Sequence, residues 1–188
     1  MPAMLQPGMG NLPPAEQPWA ADNGRFSSPE TYTDANYLRY LRSRPGQDRC
    51  LFATAPDVVG DALATLALSR PMFAAIRDLG YRVALVAQDG LEHLEVPWAD
   101  FDALFLGGST SWKLGEGAAD LAAEAKRRGK WVHMGRVNSL RRLRHAVSIG
   151  CDSADGTFLR FDQHGGRERI DKWFEELNRQ PMLFNGDT

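Results

Sequence analysis

Two carboxylates at the ends of apolar runs are the first residues of this sequence that could do chemistry. Asp22 follows Trp19-Ala20-Ala21 and leads into Asn23-Gly24, and Asp155 stands in IGCDSADGT, just after Asp152. Two carboxylates facing one glycosidic carbon can divide the labour, one forming a covalent ester and the other moving protons. Each also has a plainer reading. Asp-Asn-Gly is a strong turn sequence, and Asp152 and Asp155 can sit in a surface turn. Other run ends carry polar or small residues. Asp57 follows FATAP; Asp61 is the more natural cap of the next helix, which leaves Asp57 without a capping role. Gln88 ends VALVAQ, and its amide supplies the donor and acceptor that base recognition needs, although Asp89-Gly90 reads equally as an ordinary turn. Gly107-Gly108 can expose backbone groups to a phosphate or to a base edge. Gly24 permits a tight bend beside a ligand, and Phe26 can stack on a flat one.

The charge pattern points the same way. The chain has 188 residues and a formal net charge of -2, so the overall balance selects no partner. Between Lys126 and Arg144, however, there are eight Lys or Arg residues and no Asp or Glu, with His133 and His145 among them. Such a one-signed stretch is either a solvated helix face or a phosphate-backbone surface, and its place just before the Asp152/Asp155 turn favours the second. Neutral sugars need no such surface, which argues against a carbohydrate-active protein. The histidines are far apart and show no ligand rhythm, so no metal site is expected. Cys50 and Cys151 fit neither a disulfide framework nor a metal knuckle. A cytosolic setting follows as the default, with no membrane span and no signal pattern.

The elements that must position these residues alternate. Residues 1–18 read as a strand and loop, or as partly disordered; 19–180 read as one domain; 181–188 read as a tail. Helices are expected over 34–43, 61–79 (with Pro71 a candidate break and Leu63, Leu66, Ala67, Phe73 and Ile76 on its apolar side), 115–128, 139–148 and 167–178. The last would turn Ile170, Trp173, Phe174 and Leu177 to the core. Strands are expected over 50–55, 82–88, 102–108, 130–135 and, very short, 149–151. This alternation predicts a parallel α/β fold, either a doubly wound sheet or a compact barrel. Neither GxGxxG nor GxxxxGK[ST] is present, so no dinucleotide or phosphate-loop site is supported. The recurring polar residue just past each strand favours the barrel, whose active sites form on that rim.

The order of these residues resembles the tRNA-guanine transglycosylase family and its DNA-modifying relatives in bacteriophages and bacteria. DNGRFS is similar to that family's Asp-Ser-Gly-Gly-Phe/Tyr-Gln. The resemblance assigns acid/base work to Asp22 and base stacking to Phe26; Asn23, Arg25 and Ser27 stand for the Ser, second Gly and Gln. It assigns base reading to Asp57 in APDVVGD, Gln88 in LVAQDG and Gly107-Gly108. Met134 and Gly135 in VHMG would line the other base face. GCDSADGT keeps the spacing of Gly-x-Asp-x-Phe-Asp-Cys, making Asp155 the nucleophile and Asp152 a supporting residue. Lys113 stands near the position of the family's glutamate after the glycine pair. With Arg25, Lys130, Arg136, Arg141, Arg142 and Arg144 it would hold nucleic-acid phosphates.

The resemblance implies a reduced (β/α) TIM-type barrel without the family's zinc subdomain, since the three cysteines and histidine of that subdomain are missing. It implies a pentosyltransferase that exchanges guanine for a free 7-deazaguanine base through a covalent aspartyl intermediate, in DNA rather than tRNA and with no cofactor. A homodimer or a partner subunit would fit, as would the host cytoplasm for a phage protein. The alternatives are an N-glycosidic hydrolase and a non-catalytic nucleic-acid-binding barrel.

Overall fold

The computed structural model describes residues 3–8, 10, 16–156 and 166–179. Seven parallel strands form one open, curled sheet, a half-barrel: β1 (Ala3–Leu5), β2 (Trp19–Ala21), β3 (Cys50–Thr54), β4 (Val83–Ala87), β5 (Ala103–Leu106), β6 (Trp131–Met134) and β7 (Ser153–Ala154). Their spatial order is their chain order. A doubly wound sheet would reverse direction at a switch point, and this one does not. Crossovers of one hand, repeated without reversal, send the connecting helices to one face and leave the other to close on itself. The helices are α1 (Asp34–Arg42), α2 (Ala62–Arg77), α3 (Thr110–Lys113), α4 (Glu116–Arg127), α5 (Leu140–Ser148) and α6 (Gly166–Arg179).

Side-chain alternation along each strand makes two cores. Trp19, Ala21, Ala53, Leu85, Leu104, Leu106, Val132 and Met134 pack outward with helix residues such as Leu66, Ile76, Leu121 and Leu143. Ala20, Phe52, Ala84, Val86, Ala103 and Phe105 fill the inner face. Three alanines there leave room for two phenylalanines, whose rings meet edge to face at 6.3 Å. Strands such as VALVA are buried on both faces, which is why they read as unbroken apolar runs.

Several expectations are corrected. Pro71 lies inside α2 without breaking it. Pro71 and Ala67, four residues before it, are both exposed, so the carbonyl left without a donor faces water. Leu63 and Ala67 are also exposed; Thr65, Ser69 and Met72 join Leu66, Phe73 and Ile76 on the buried side. The last strand starts at Ser153, later than 149–151, because α5 runs to Ser148 and a Gly150 turn follows it. A short helix, α3, follows the glycine pair, between the strand expected over 102–108 and the helix expected over 115–128. In α6, Trp173 and Leu177 pack on the core, whereas Phe174 is exposed. The Ile170 side chain and the expected tail 181–188 lie outside the described residues. Among the described residues no helix is long and apolar enough to cross a membrane.

Candidate active site at the carboxyl rim

The chain leaves β2 through a turn that carries the first candidate carboxylate. The Asp22 N–H extends the pairing of β2 with β1 by donating to the Leu5 carbonyl (2.7 Å). Asp22 Oδ1 then accepts the Gly24 N–H at 2.7 Å, closing an Asx turn. Gly24 takes φ 76°, and a Cβ there would meet Pro7 Cδ at 3.1 Å, so glycine serves both the conformation and the close approach. DNG thus forms a turn that also holds a partly buried carboxylate at the rim. Burial lifts the Asp22 carboxyl from 3.8 to about 6; the Gly24 N–H opposes this, and the charges of Asp57 and Asp155 add to it.

Asn23 is fully buried and ties β2 to the loop after β3. Its Nδ2 donates to Thr54 Oγ1, the Ala55 carbonyl and Asp57 Oδ1 at 3.0–3.1 Å. The other Asp57 oxygen accepts from Gln88 Nε2 at 2.6 Å, while Gln88 Oε1 accepts the Gly60 N–H. Both ends of the Gln88 amide thus carry a hydrogen bond within the protein. Burial raises the Asp57 carboxyl, against the hydrogen bonds from Asn23 and Gln88 and the charges of Arg25 and Arg136.

Asp155 is the opposite case. His133 Nε2 lies 3.0 Å from its Oδ2, and the Arg136 N–H donates to Oδ1 at 2.9 Å. Burial pushes this carboxyl up, but the His133 hydrogen bond and charge, the Arg136 N–H and the Lys113 charge together hold it below the ordinary carboxylate range. Arg136 adopts φ 59°, the left-handed region that non-glycine residues avoid. Its guanidinium donates to the carbonyls of Gly107 and Gly108 at 2.6 and 3.0 Å and reaches over the exposed Phe26 ring.

The rim therefore gathers Asp22, Asn23, Arg25, Phe26, Asp57, Gln88, Gly107, Gly108, Gly135, Arg136 and Asp155. Arg25 donates to the Asp57 carbonyl at 3.2 Å, so the arginine that replaces a glycine of the resembled motif closes the rim. The glycine pair has a packing reason: a Cβ on Gly108 would lie 2.5 Å from both Asp89 Oδ2 and Trp112, and one on Gly107 would lie 2.5 Å from Val86. Likewise, a Cβ on Gly135 would strike the Phe105 ring at 2.7 Å.

Other expected residues sit elsewhere. Met134 is buried in the outer core, because the even residues of β6 face the helices. His133, one residue earlier, faces inward in its place. Asp152 pairs with Lys126 at 2.5 Å and caps the start of β6 through the Val132 N–H, at the amino-terminal rim. Lys130 is at that rim too, donating to the Phe101 carbonyl. Both line a cavity of about 480 Å³ with Arg82, Asp102 and Trp131, on the far side of the sheet from Asp155. Lys113 is buried and donates to the Gly135 carbonyl, so it supports the rim and presents no cation to solvent. Burial first, then the charges of Arg136 and Arg142 against those of Asp155 and Asp89, bring its ammonium down to about 8. Of the α5 arginines, Arg141 is exposed, Arg142 donates to the Arg136 carbonyl and Arg144 pairs with Glu176.

The sequence places His133 in the basic run and among histidines without a ligand rhythm, marks Asp89 as a turn residue, and gives no sign of Ser153 or Thr54. The signal for His133 was alternation: Trp131, His133 and Gly135 share one strand face, as do Ser153 and Asp155 on the next. Among the described residues no group of three or more His, Cys, Asp or Glu could hold a metal ion.

No protein-family model matches the sequence, and neither does any curated protein. Among solved structures, the chain is similar to the EAL domain of Xanthomonas citri FimX, determined in complex with c-diGMP. That likeness has 16% identity and a TM-score of 0.50, over 76% of this chain and 58% of the other. The chain thus spans less than two thirds of the length of that domain. A native KDPGal structure is similar at 14% identity and a TM-score of 0.47, over 88% of this chain and 85% of the other. The EAL likeness bears on the fold alone.

Proposed function

We propose that this chain is a reduced TIM-type barrel enzyme that exchanges guanine in a nucleic acid, DNA in preference to tRNA, for a free 7-deazaguanine base. The observation that carries this reading is the Asp22/Asp155 pair: two rim carboxylates, Asp22 within the field of the Asp155 charge, one pushed up to about 6 and one held low. Environments that drive two carboxyls apart separate a proton carrier from an anionic nucleophile. The motif resemblance supplies the substrate class, and the exposed Phe26 and Arg141 beside the rim suit a flat base and a phosphate backbone.

The chemistry is a double displacement. An Asp155 oxygen attacks C1′, the C1′–N9 bond breaks, and its electron pair leaves with guanine as Asp22 delivers a proton. The incoming base then attacks C1′ with its N9 pair, Asp22 takes the N9 proton, and the ester bond to Asp155 breaks to restore the carboxylate. Positive charge builds on the sugar in both steps, and the ionised Asp155 stabilises it. The target nucleotide must leave any duplex stack to reach the rim.

The test is exchange of labelled guanine into guanine-containing single-stranded and duplex DNA and into tRNA, together with trapping of a denaturant-stable protein–DNA adduct. Exchange and adduct should both vanish in Asp155→Asn. Release of guanine without incorporation would make the protein a hydrolase, and an adduct that survives in Asp155→Asn would remove Asp155 as nucleophile.

A further inference from the structure

Four side chains on the inner face of β6 and β7 form one chain of hydrogen bonds. The parallel register sets His133 beside Ser153. Trp131 Nε1 lies 2.8 Å from Ser153 Oγ, Ser153 Oγ lies 2.8 Å from His133 Nδ1, and His133 Nε2 lies 3.0 Å from Asp155 Oδ2. The path crosses between the strands at every bond, from the amino-terminal rim to the carboxyl rim.

Its direction is fixed at the Asp155 end. An ionised carboxylate can only accept, so His133 donates from Nε2 to Asp155 Oδ2. An indole N–H can only donate, so Ser153 Oγ accepts from Trp131 and keeps a lone pair and a proton with which to meet Nδ1. The ring cannot turn over without losing both bonds. It is fully buried, with the Phe105 and Phe52 rings at 4.7 and 5.3 Å.

We propose that this relay makes His133 the positioning residue of Asp155, an imidazole whose Nε2–H is held toward Oδ2 and fixes that oxygen while the Arg136 N–H fixes Oδ1. Hydrogen bonds to the charged form favour the anion, and one bond to each oxygen sets the carboxylate plane while leaving each a lone pair for attack. Lys113, Arg136 and Asp22 are the other charged groups acting on or beside this carboxylate. The catalytic meaning rests on the proposed function, through Asp155 as attacking group; the direction of the relay does not.

Long-range proton–nitrogen NMR of the imidazoles at neutral pH reads the tautomer, and the carbon resonance of the Asp155 carboxyl reads its titration. Wild-type His133 should show a protonated Nε2. Ser153→Ala leaves the Trp131 N–H without an acceptor and Nδ1 without its hydrogen-bond partner. It should loosen the Nε2–H bond to Asp155 and raise the Asp155 midpoint, with about a tenfold fall in its acid dissociation constant. Ser153→Thr, which keeps a hydroxyl, should restore both. A bare Nε2 in the wild type, or a Ser153→Ala protein that keeps both the Nε2–H bond and the midpoint, overturns the relay. Neither readout uses base exchange, so an inactive protein with the Nε2–H form would remove the proposed function and leave the positioning role standing.

Discussion

Asp22→Asn should stabilise the fold at neutral pH while it abolishes exchange. Folding lifts the Asp22 carboxyl from 3.8 to about 6, so the unfolded chain ionises first and ionisation favours unfolding. Below pH 3.8 both states carry the proton and the penalty is absent. It grows as pH rises from 3.8 to about 6 and is complete above that. A gap of about two pKa units corresponds to about 3 kcal/mol. Asparagine keeps an oxygen for the Gly24 N–H and carries no charge, so it removes this penalty without emptying the turn. Urea unfolding of wild type and variant measures the difference directly. It should be near zero at the acid end of that window and approach about 3 kcal/mol above it. A stability difference that does not change with pH would refute the assignment of a buried, raised carboxyl. A site that lowers stability for the sake of chemistry is a known trade, and the same variant should show no base exchange at any pH.

Gly108→Ala should destabilise by about 1–3 kcal/mol in thermal or denaturant unfolding, because the new Cβ would fall 2.5 Å from Asp89 and Trp112; a neutral result would mean that the glycine pair is open to a ligand after all. Arg136→Gly and Arg136→Ala both lose the guanidinium bonds to Gly107 and Gly108, but only glycine suits φ 59°. Arg136→Gly should therefore be the more stable of the two by about 1 kcal/mol, again by unfolding. In DNA binding measured against salt, Arg141→Ala should lower the log–log slope by about one. Arg144→Ala should lower it less, since Arg144 already pairs with Glu176; equal effects would count against α5 as a phosphate surface.

Much of the fold was legible because parallel strands covered on both faces leave a plain signature. VALVA and ALFL are unbroken apolar runs and CLFAT and WVHM nearly so, each leads within three residues to a polar or glycine exit, and length and flanking residues separate them from the helices. Caps were legible too: Asp61 accepts the Ala64 N–H, as its place before an apolar helix suggests. The carboxylates of the rim could be named for the same reason, since a polar residue just past a strand must stand on the edge of the sheet. Which way a strand residue faces was harder to read. Met134 looked like a base-facing side chain and His133 like one more cation in a basic run, yet a one-residue change of parity exchanges the two faces of a strand. Asp152 and Asp155 illustrate the same limit along the strand axis, because the two-residue β7 separates them onto opposite rims.

The sequence by itself determined the alternating α/β order, the helix caps, the glycine turn after Asp22 and the set of polar residues that close each strand. All of these depend on neighbours within a few positions, where propensity and periodicity act. Only the tertiary structure decided that Gln88 is tied to Asp57 and Gly60, that Lys113 is buried, and that Asp22 and Asp155 have carboxyls shifted in opposite directions. Those outcomes depend on burial and on partners up to tens of residues away, and a carboxyl's ionisation is set by the solvent and charges around it in space.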